Sequence, residues 1–342
     1  MATNGTFTRL AGTLARSSHS LSVVGDKAYL FGGEIDPRRP VDNAIHVLDL
    51  SGGGIETLAA PDAPEPRVGH VAGVIGGVVY IFGGRGGPDM TPLDERGAVH
   101  AFDPATRAWR TLTPAAGDVP APRSYHSATS TGAQLIVHGG CPAKGPRLAD
   151  VWAFAPASGR WTRLPDAPGI GRGGSALAYA AGSDTLFRFG GFNGTTEVGG
   201  QIDSLRLGAG TAGAWTSSVF GATEGLGRGG DDAAAELAAD DAGPGPRSVT
   251  ALHAVGDDTI ALLFGEGKPS PTGGHDAAGN FWDDVWVYAP SKDTWARVPP
   301  GDEWPAPRGW FASDASGGAV VLHGGLDARN ERLADGWAFR LQ

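Results

Sequence analysis

The chain has little cysteine, no long apolar run and no excess of basic residues. Cys141 is the single cysteine among 342 residues, so no disulfide can form within the chain. No apolar stretch approaches the roughly 18 residues of a membrane-spanning helix. The formal charge is −10, from 27 Lys and Arg against 37 Asp and Glu, which disfavours a general nucleic-acid binder. The first residues also lack a basic segment followed by an apolar one, so we expect a cytoplasmic protein without a membrane or nucleic-acid partner.

The chain is rich in glycine and contains a repeated pattern. Its 56 Gly and 25 Pro separate short apolar runs, as in an all-β protein with many tight turns. Six times, an arginine precedes a strand-like run that ends in a glycine 17 to 19 residues later: Arg16 and Gly33, Arg67 and Gly84, Arg123 and Gly140, Arg172 and Gly191, Arg247 and Gly265, Arg308 and Gly325. Units of about fifty residues with an aromatic residue near the end are typical of β-propeller blades. We therefore predict an all-β, six-bladed β-propeller.

The sixth unit lacks its outer strand, which the N-terminus can supply. The segment Phe7-Thr-Arg-Leu10 is similar to the outer strand Trp161-Thr-Arg-Leu164, and the sixth unit ends at Gln342 before such a strand appears. Pairing of the N-terminal strand with the last blade would close the ring and leave no open sheet edge. We predict that this strand completes the sixth blade.

One propeller is predicted to span residues 1–342. Its blades cover about 11–60, 61–115, 116–166, 167–218, 243–300, and 301–342 together with 1–10. Residues 219–242 form an acidic insertion between the fourth and fifth blades, with helical propensity between Gly-rich flanks. A lid, a docking segment and a mobile loop are all compatible with this composition.

Candidate functional residues directly follow the repeated glycines, because loops at one face of a propeller surround the central channel. These positions hold Glu34, Arg85, Cys141, Phe192, Glu266 and Leu326. Two carboxylates and an arginine favour a functional site, although an exposed rim could carry the same mixture. The repeated arginines have a structural explanation, since a guanidinium can bind carbonyls of a neighbouring blade. Two or three of them could also attract a small anion such as a sulfate or carboxylate.

The loop that follows Gly265 differs from its counterparts in the other blades. It holds Glu266, Ser270, His275 and Asp276 among several glycines. Glu, His and Asp together are suited to a non-haem Fe(II) or another divalent ion with open coordination positions. Spacing alone is a weak signal for a metal, because Asp and His are common in loops.

Several motifs together resemble the plant specifier proteins of glucosinolate breakdown, which are the epithiospecifier, nitrile-specifier and thiocyanate-forming proteins. The resemblance covers nearly the whole chain. Its most specific parts are Phe31-Gly-Gly-Glu34 with Asp42-Asn43, Arg172-Gly-Gly, Gly265-Glu266 through Gly274-His275, Pro307-Arg308-Gly-Trp310, His323-Gly-Gly and Asn330-Glu331-Arg332.

This resemblance implies a six-bladed kelch propeller that acts as a lyase. Such proteins use Fe(II) to direct an unstable thiohydroximate O-sulfate, a small anionic substrate released by myrosinase, toward nitrile-type products. The resemblance implies that Glu266 and His275, with Ser270 or Asp276, hold the iron. The family has an Asp at the position of Ser270, and its His lies eight rather than nine residues after the Glu.

The resemblance also assigns the substrate-binding side chains. It implies that Arg67 and Arg123 hold the anionic group and that Trp310 forms a wall of the pocket, while Glu34 is a further catalytic candidate at the rim. The main alternative is a non-catalytic kelch propeller that binds a protein or a ligand. The Glu266 and His275 pair favours the lyase, whereas Ser270 favours the alternative. An oxidase-like propeller lacks the required Tyr-Cys constellation, because Cys141 stands alone.

Overall fold

The computed structural model describes residues 4–59, 61–208, 213–221, 242–268 and 279–342. Within these ranges the chain forms β-strands and a single turn of 3₁₀ helix at Ala181–Ser183. None of the described residues belongs to a helix that is long and apolar enough to cross a membrane.

The strands are numbered along the chain, and they form six four-stranded antiparallel sheets and two short hairpins. After β1 (Gly5–Arg9), the first blade has β2 (Ser20–Val24), β3 (Lys27–Phe31), β4 (Ile45–Asp49) and β5 (Gly54–Leu58). The second blade and its hairpin have β6 (Val71–Ile75), β7 (Val78–Phe82), β8 (Arg85–Gly86), β9 (Thr91–Pro92), β10 (Val99–Asp103) and β11 (Ala108–Leu112). The third blade has β12 (Ser127–Ser130), β13 (Leu135–Gly140), β14 (Leu148–Ala155) and β15 (Arg160–Leu164).

The remaining blades follow the same plan. The fourth has β16 (Ala176–Ala180), β17 (Thr185–Phe189), β18 (Gln201–Arg206) and β19 (Thr216–Val219). The fifth and its hairpin have β20 (Ala251–Gly256), β21 (Thr259–Leu263), β22 (Glu266–Lys268), β23 (Asn280–Phe281), β24 (Val285–Ala289) and β25 (Thr294–Val298). The sixth has β26 (Ala312–Ser316), β27 (Ala319–His323) and β28 (Gly336–Leu341), and β1 is its outer strand.

The N-terminal strand closes the ring, as the sequence predicted. Strand β1 pairs antiparallel with β28, and Phe7 lies opposite Phe339. The Phe7 ring is buried and contacts Trp304 edge-on with a centroid separation of 4.8 Å. It belongs to a core cluster that also contains residues of the fifth blade, such as Leu263. The prediction of an all-β, six-bladed propeller closed by this strand is confirmed.

A ring of main-chain hydrogen bonds joins each blade to the next. The repeated glycine of each blade donates its N–H to the carbonyl oxygen of the following blade's repeated arginine, at 2.8–3.0 Å: Gly33 to Arg67, Gly84 to Arg123, Gly140 to Arg172, Gly191 to Arg247, Gly265 to Arg308 and Gly325 to Arg16. The preceding residue must also be small in most blades. A Cβ on Gly32 would lie 2.5 Å from the Arg67 carbonyl oxygen, and its φ of +66° favours glycine.

Apolar side chains of adjacent blades share each part of the core. In one cluster, Tyr80 and Phe82 of the second blade pack with Trp152 and Trp161 of the third. The outer strands contribute alternate side chains to the core, since successive side chains of a strand point to opposite faces of the sheet. In β15, for example, Trp161 is buried and the side chains on either side of it are exposed. The core is therefore divided among the blade interfaces.

Candidate functional site

The six residues that follow the repeated glycines occupy equivalent places in the ring. Each forms an isolated antiparallel bridge with the residue that follows the repeated arginine: Glu34 with Ser17, Arg85 with Val68, Cys141 with Ser124, Phe192 with Gly173, Glu266 with Ser248 and Leu326 with Gly309. These bridges set all six positions at one end of the central channel.

A second set of main-chain hydrogen bonds forms a floor beneath these positions. In each blade, the residue two positions after the repeated arginine has a left-handed backbone conformation: Ser18, Gly69, Tyr125, Gly174, Val249 and Trp310. Five of them donate their N–H groups to a carbonyl oxygen of the preceding blade at 2.6–3.0 Å: Ser18 to Trp310, Gly69 to Ser18, Tyr125 to Gly69, Gly174 to Tyr125 and Val249 to Gly174. Four of these six residues, Tyr125, Gly174, Val249 and Trp310, also line the cavity at this end of the channel.

A cavity of about 280 Å³ lies above this floor. Its described lining contains four arginines and one carboxylate, namely Arg38, Arg85, Arg147, Arg332 and Glu34. The other lining side chains include Tyr125, Cys141, Phe192, Val249 and Trp310. A chain with a net charge of −10 thus has a basic cavity at one end of its channel. Such a cavity is suited to a small anion, because guanidinium groups bind oxyanions through charge-assisted hydrogen bonds.

Arg85 is held in place by two contacts on the cavity wall. Its Nε donates to Ser124 Oγ at 3.1 Å, and its guanidinium carbon lies 5.4 Å from the centre of the Tyr125 ring. Burial, with a smaller contribution from Glu34, raises the pKa of Tyr125 to about 12. Burial also raises the pKa of the Cys141 thiol, although Arg147 and Arg85 oppose the shift. The phenol and the thiol are therefore both neutral hydrogen-bonding groups at pH 7.

Glu34 lies in the cavity wall and has both carboxylate oxygens engaged. Its Oε1 accepts a hydrogen bond from Arg332 Nη2 at 2.9 Å, and its Oε2 accepts one from the backbone N–H of Arg38 at 2.7 Å. The ion pair joins the first blade to the sixth. Glu34 therefore links the segments that carry Arg38 and Arg332 at the cavity wall.

The structure does not bring Arg67 and Arg123 to the cavity, and their predicted anion-binding role needs correction. Both side chains are fully buried within their blades. Arg67 binds both oxygens of Glu95 at 2.8 Å, and Arg123 binds the two oxygens of Asp150 at 2.7 and 2.8 Å. Each also donates to a carbonyl of its own blade rather than a neighbouring one. Four of the five N–H donors of each guanidinium group bind to the fold, and the burial of both groups keeps them away from a ligand in the cavity.

The pKa of the carboxylate that binds Arg67 reflects this structural pairing. Burial alone would raise the pKa of Glu95, but hydrogen bonds from Arg67 and His100 lower it to about 2. The arginines that line the cavity are instead Arg85 and three loop residues, Arg38, Arg147 and Arg332. In the sequence, Arg85 follows a repeated glycine and Arg332 belongs to the motif Asn330-Glu331-Arg332. Arg38 and Arg147 occupy no repeated position, so the repeat could not identify them.

Trp310 and Glu266 are the remaining predicted site residues that the structure describes. Trp310 lines the cavity and meets the Phe281 ring edge-on at a centroid distance of 6.1 Å. Glu266 is fully buried, and its Oε1 accepts a hydrogen bond from the Gly279 N–H at 3.1 Å. Its backbone pairs with Ser248, which lines the cavity.

The predicted metal centre lies mostly outside the described residues. Ser270, His275 and Asp276 belong to the undescribed range 269–278, and most of the predicted acidic insertion falls in 222–241. Within the described ranges, no group of three His, Cys, Asp or Glu could hold a metal ion. The described part contributes one carboxylate, Glu266, which does not by itself make a metal site.

The fold and the cavity define a class of protein, a closed six-bladed propeller with an arginine-lined cavity at one end of its channel. The KLHDC2/KLHL20/DRC7 Kelch-repeats domain profile matches residues 18–216, and the chain belongs to the kelch-repeat family. The solved structure of YjhT is similar over 96% of this chain and 98% of its own, with a TM-score of 0.71 and 14% identity. That similarity supports the fold alone.

Curated relatives include an enzyme and a protein named only for its domain. N-(sulfonatooxy)prop-2-enimidothioate sulfolyase of Thlaspi arvense is 33% identical over 159 residues, which cover 44% of each chain. Human Kelch domain-containing protein 3 is 32% identical over 165 residues, which cover 46% of this chain and 43% of that protein. The matched stretches span less than half of each relative.

Proposed function

We propose that the cavity binds a small organic sulfate and that the protein is a lyase of the sulfolyase type. The observation that carries this proposal is the group of four guanidinium groups around a cavity of about 280 Å³. A sulfolyase is named among the relatives, and its named substrate carries a sulfonatooxy group. A thiohydroximate O-sulfate, or a related small sulfur or oxime compound, fits the same chemistry.

The cavity favours departure of sulfate through electrostatics. An organic sulfate carries one negative charge on its sulfate group, and the leaving sulfate takes the electron pair of the broken bond and carries two. Arginine side chains that are already in position stabilise this growing charge more strongly in the transition state than in the bound substrate. Arg85, fixed by Ser124 and Tyr125, supplies such a preorganised group.

The apolar part of the cavity is suited to a small organic group. Phe192, Val249, Trp310 and Leu326 line it on the side of the fourth, fifth and sixth blades. A volume of about 280 Å³ is near the lower limit for small-molecule sites, so we expect a compact ligand. Water exclusion by these side chains strengthens the interaction between the sulfate and the arginines.

Loss of individual arginines tests the proposal. Arg85→Ala and Arg147→Ala should each weaken binding of an organic sulfate about tenfold or more, because each removes charge-assisted hydrogen bonds. Sulfate release and nitrile formation from a glucosinolate treated with myrosinase should fall in parallel. Arg163→Ala is the matched control, since Arg163 is largely exposed and pairs with Asp166 outside the cavity. Equal activity in all three variants would exclude the cavity as the reaction site.

Iron is a separate proposal that the electrostatic argument does not require. When bound, Fe(II) would supply a Lewis acid for the substrate sulfur, with Glu266, His275 and Asp276 or Ser270 as its ligands. Anaerobic Fe(II) titration of wild type and Glu266→Ala measures this directly. Stoichiometric iron that is lost in the variant supports the assignment, and an identical titration in both proteins contradicts it.

A second candidate is a non-catalytic kelch propeller that binds a ligand or a protein partner. The observation that favours it is the human relative, which matches a stretch of similar length at 32% identity and is named for its kelch domain alone. Arginine-dependent sulfate binding without any turnover of the glucosinolate product would support this candidate over the lyase.

A further inference from the structure

One buried hydroxyl in the cavity wall has no hydrogen-bond partner among the described residues. Ser248 follows the repeated Arg247, lines the cavity and is 1% exposed. Its backbone is fixed by reciprocal hydrogen bonds with Glu266, at 2.9 and 2.8 Å, whereas its Oγ is buried and unpaired. An unsatisfied buried hydroxyl opposes folding, so its presence at a cavity wall calls for a functional explanation.

The same position in the third blade shows what a paired hydroxyl does. Ser124 follows the repeated Arg123 and also bridges to its rim residue. Its Oγ accepts a hydrogen bond from Arg85 Nε at 3.1 Å and thereby positions a cavity arginine. Ser248 has no such protein partner in the described part of the chain, so the hydrogen-bonding capacity of its hydroxyl is unused there.

A glycine pair places this hydroxyl close to the arginine side of the cavity. A Cβ on Gly173 would lie 2.9 Å from Cys141 Sγ and 3.9 Å from Arg147 Cδ. A Cβ on the next residue, Gly174, would lie 3.4 Å from Ser248 Cβ. Arg147 and Ser248 therefore flank the same two glycines.

We propose that Ser248 is a specificity-determining residue whose hydroxyl donates a hydrogen bond to an acceptor atom beside the sulfate group of the ligand. This inference rests on the proposed function. In a sulfate carried on an imine nitrogen, C=N–O–SO₃⁻, that nitrogen has a lone pair and is bonded to the ester oxygen. An alkyl sulfate has a CH₂ group at the same place and accepts no hydrogen bond. The arginines bind both anions alike, so the selection comes from Ser248.

Two sulfates of similar size test this selection by calorimetric titration. Acetone oxime O-sulfonate carries the imine nitrogen, and isobutyl sulfate carries CH₂ in its place. Wild type should bind the oxime sulfate about five- to tenfold more tightly, which is the usual effect of one hydrogen bond. Ser248→Ala should remove this preference by weakening the oxime sulfate alone. Its thermal stability should not decrease, because the variant removes an unsatisfied buried group.

A matched control and a second variant complete the experiment. Ser175→Ala is the control, because Ser175 is also buried but pairs with Ser127 Oγ at 3.1 Å and lines a separate cavity. It should leave both affinities unchanged. Ser248→Gly provides a second loss of the hydroxyl, since Gly173 and Gly309 hold glycine at the equivalent position. The preference should disappear in this variant too.

The outcomes separate the two proposals. If wild type binds both sulfates and the Ser248 variants change both affinities equally or neither, the role of Ser248 is wrong and the arginine cavity stands. If wild type binds neither sulfate, both proposals fail.

Discussion

Substitution of Arg123 should destabilise the fold and leave the cavity chemistry intact. Its side chain donates to the Ala121 and Gly139 carbonyls at 3.0 and 3.1 Å, and to both oxygens of Asp150. Arg123→Ala leaves the Asp150 carboxylate without its counter-ion and two carbonyls without their donor. Removal of one partner from a buried ion pair costs about 3–5 kcal/mol. That is a large part of the roughly 5–15 kcal/mol by which domains are stable.

Urea denaturation followed by tryptophan fluorescence measures this loss. Arg123→Ala should lower the unfolding midpoint strongly, while Arg85→Ala should change it little and weaken sulfate binding about tenfold or more. Arg123→Met combined with Asp150→Leu should recover much of the loss, because the double change removes both buried charges. A change below about 1 kcal/mol in Arg123→Ala, or weakened sulfate binding by the folded variant, would refute the structural role.

Three further predictions follow from the described contacts. Phe7→Ala should lower the free energy of unfolding in urea by about 3–5 kcal/mol, because it leaves a cavity where the buried Phe7 ring of β1 was. An unchanged midpoint would contradict the role of β1. Glu34→Gln should weaken sulfate binding a few-fold by releasing Arg332, and unchanged affinity would show that this ion pair does not position the arginine. Burial, aided by nearby arginines, lowers the pKa of His70 and His323 to about 3. Because these folded pKa values lie below the unfolded value of about 6.5, stability is complete above pH 6.5 and falls toward pH 3, by about 2 kcal/mol per histidine at pH 5; equal unfolding midpoints at pH 7 and 5 would contradict this.

The repeat made the architecture predictable because each blade has the same four strands and packs against its neighbours in the same way. The spacing from arginine to glycine sets the length of two strands and the turn between them, and the missing outer strand after Trp337 identified β1 as its replacement. The equivalence of the six rim positions, of which Arg85 is one, follows from the same repeat.

The roles of the repeated arginines could not be read from their spacing alone. A repeat fixes where a side chain begins, but the direction of a long guanidinium side chain depends on its partner. An acidic residue 26 to 28 residues after the arginine, such as Glu95 or Asp150, was the available signal of an internal ion pair. Arg38 and Arg147 lie in loops of unequal length, where no repeat position constrains them.

The strand that closes the ring also has a consequence for biosynthesis. Strand β1 is synthesised before the other strands of the propeller, whereas its partner β28 is the last of them. Domains that fold during synthesis generally do so from the N-terminus, but here the first strand must wait for nearly the whole chain. Until then its Phe7 has no core to enter, and the edge of β28 does not yet exist. Ring closure therefore cannot precede the synthesis of β28.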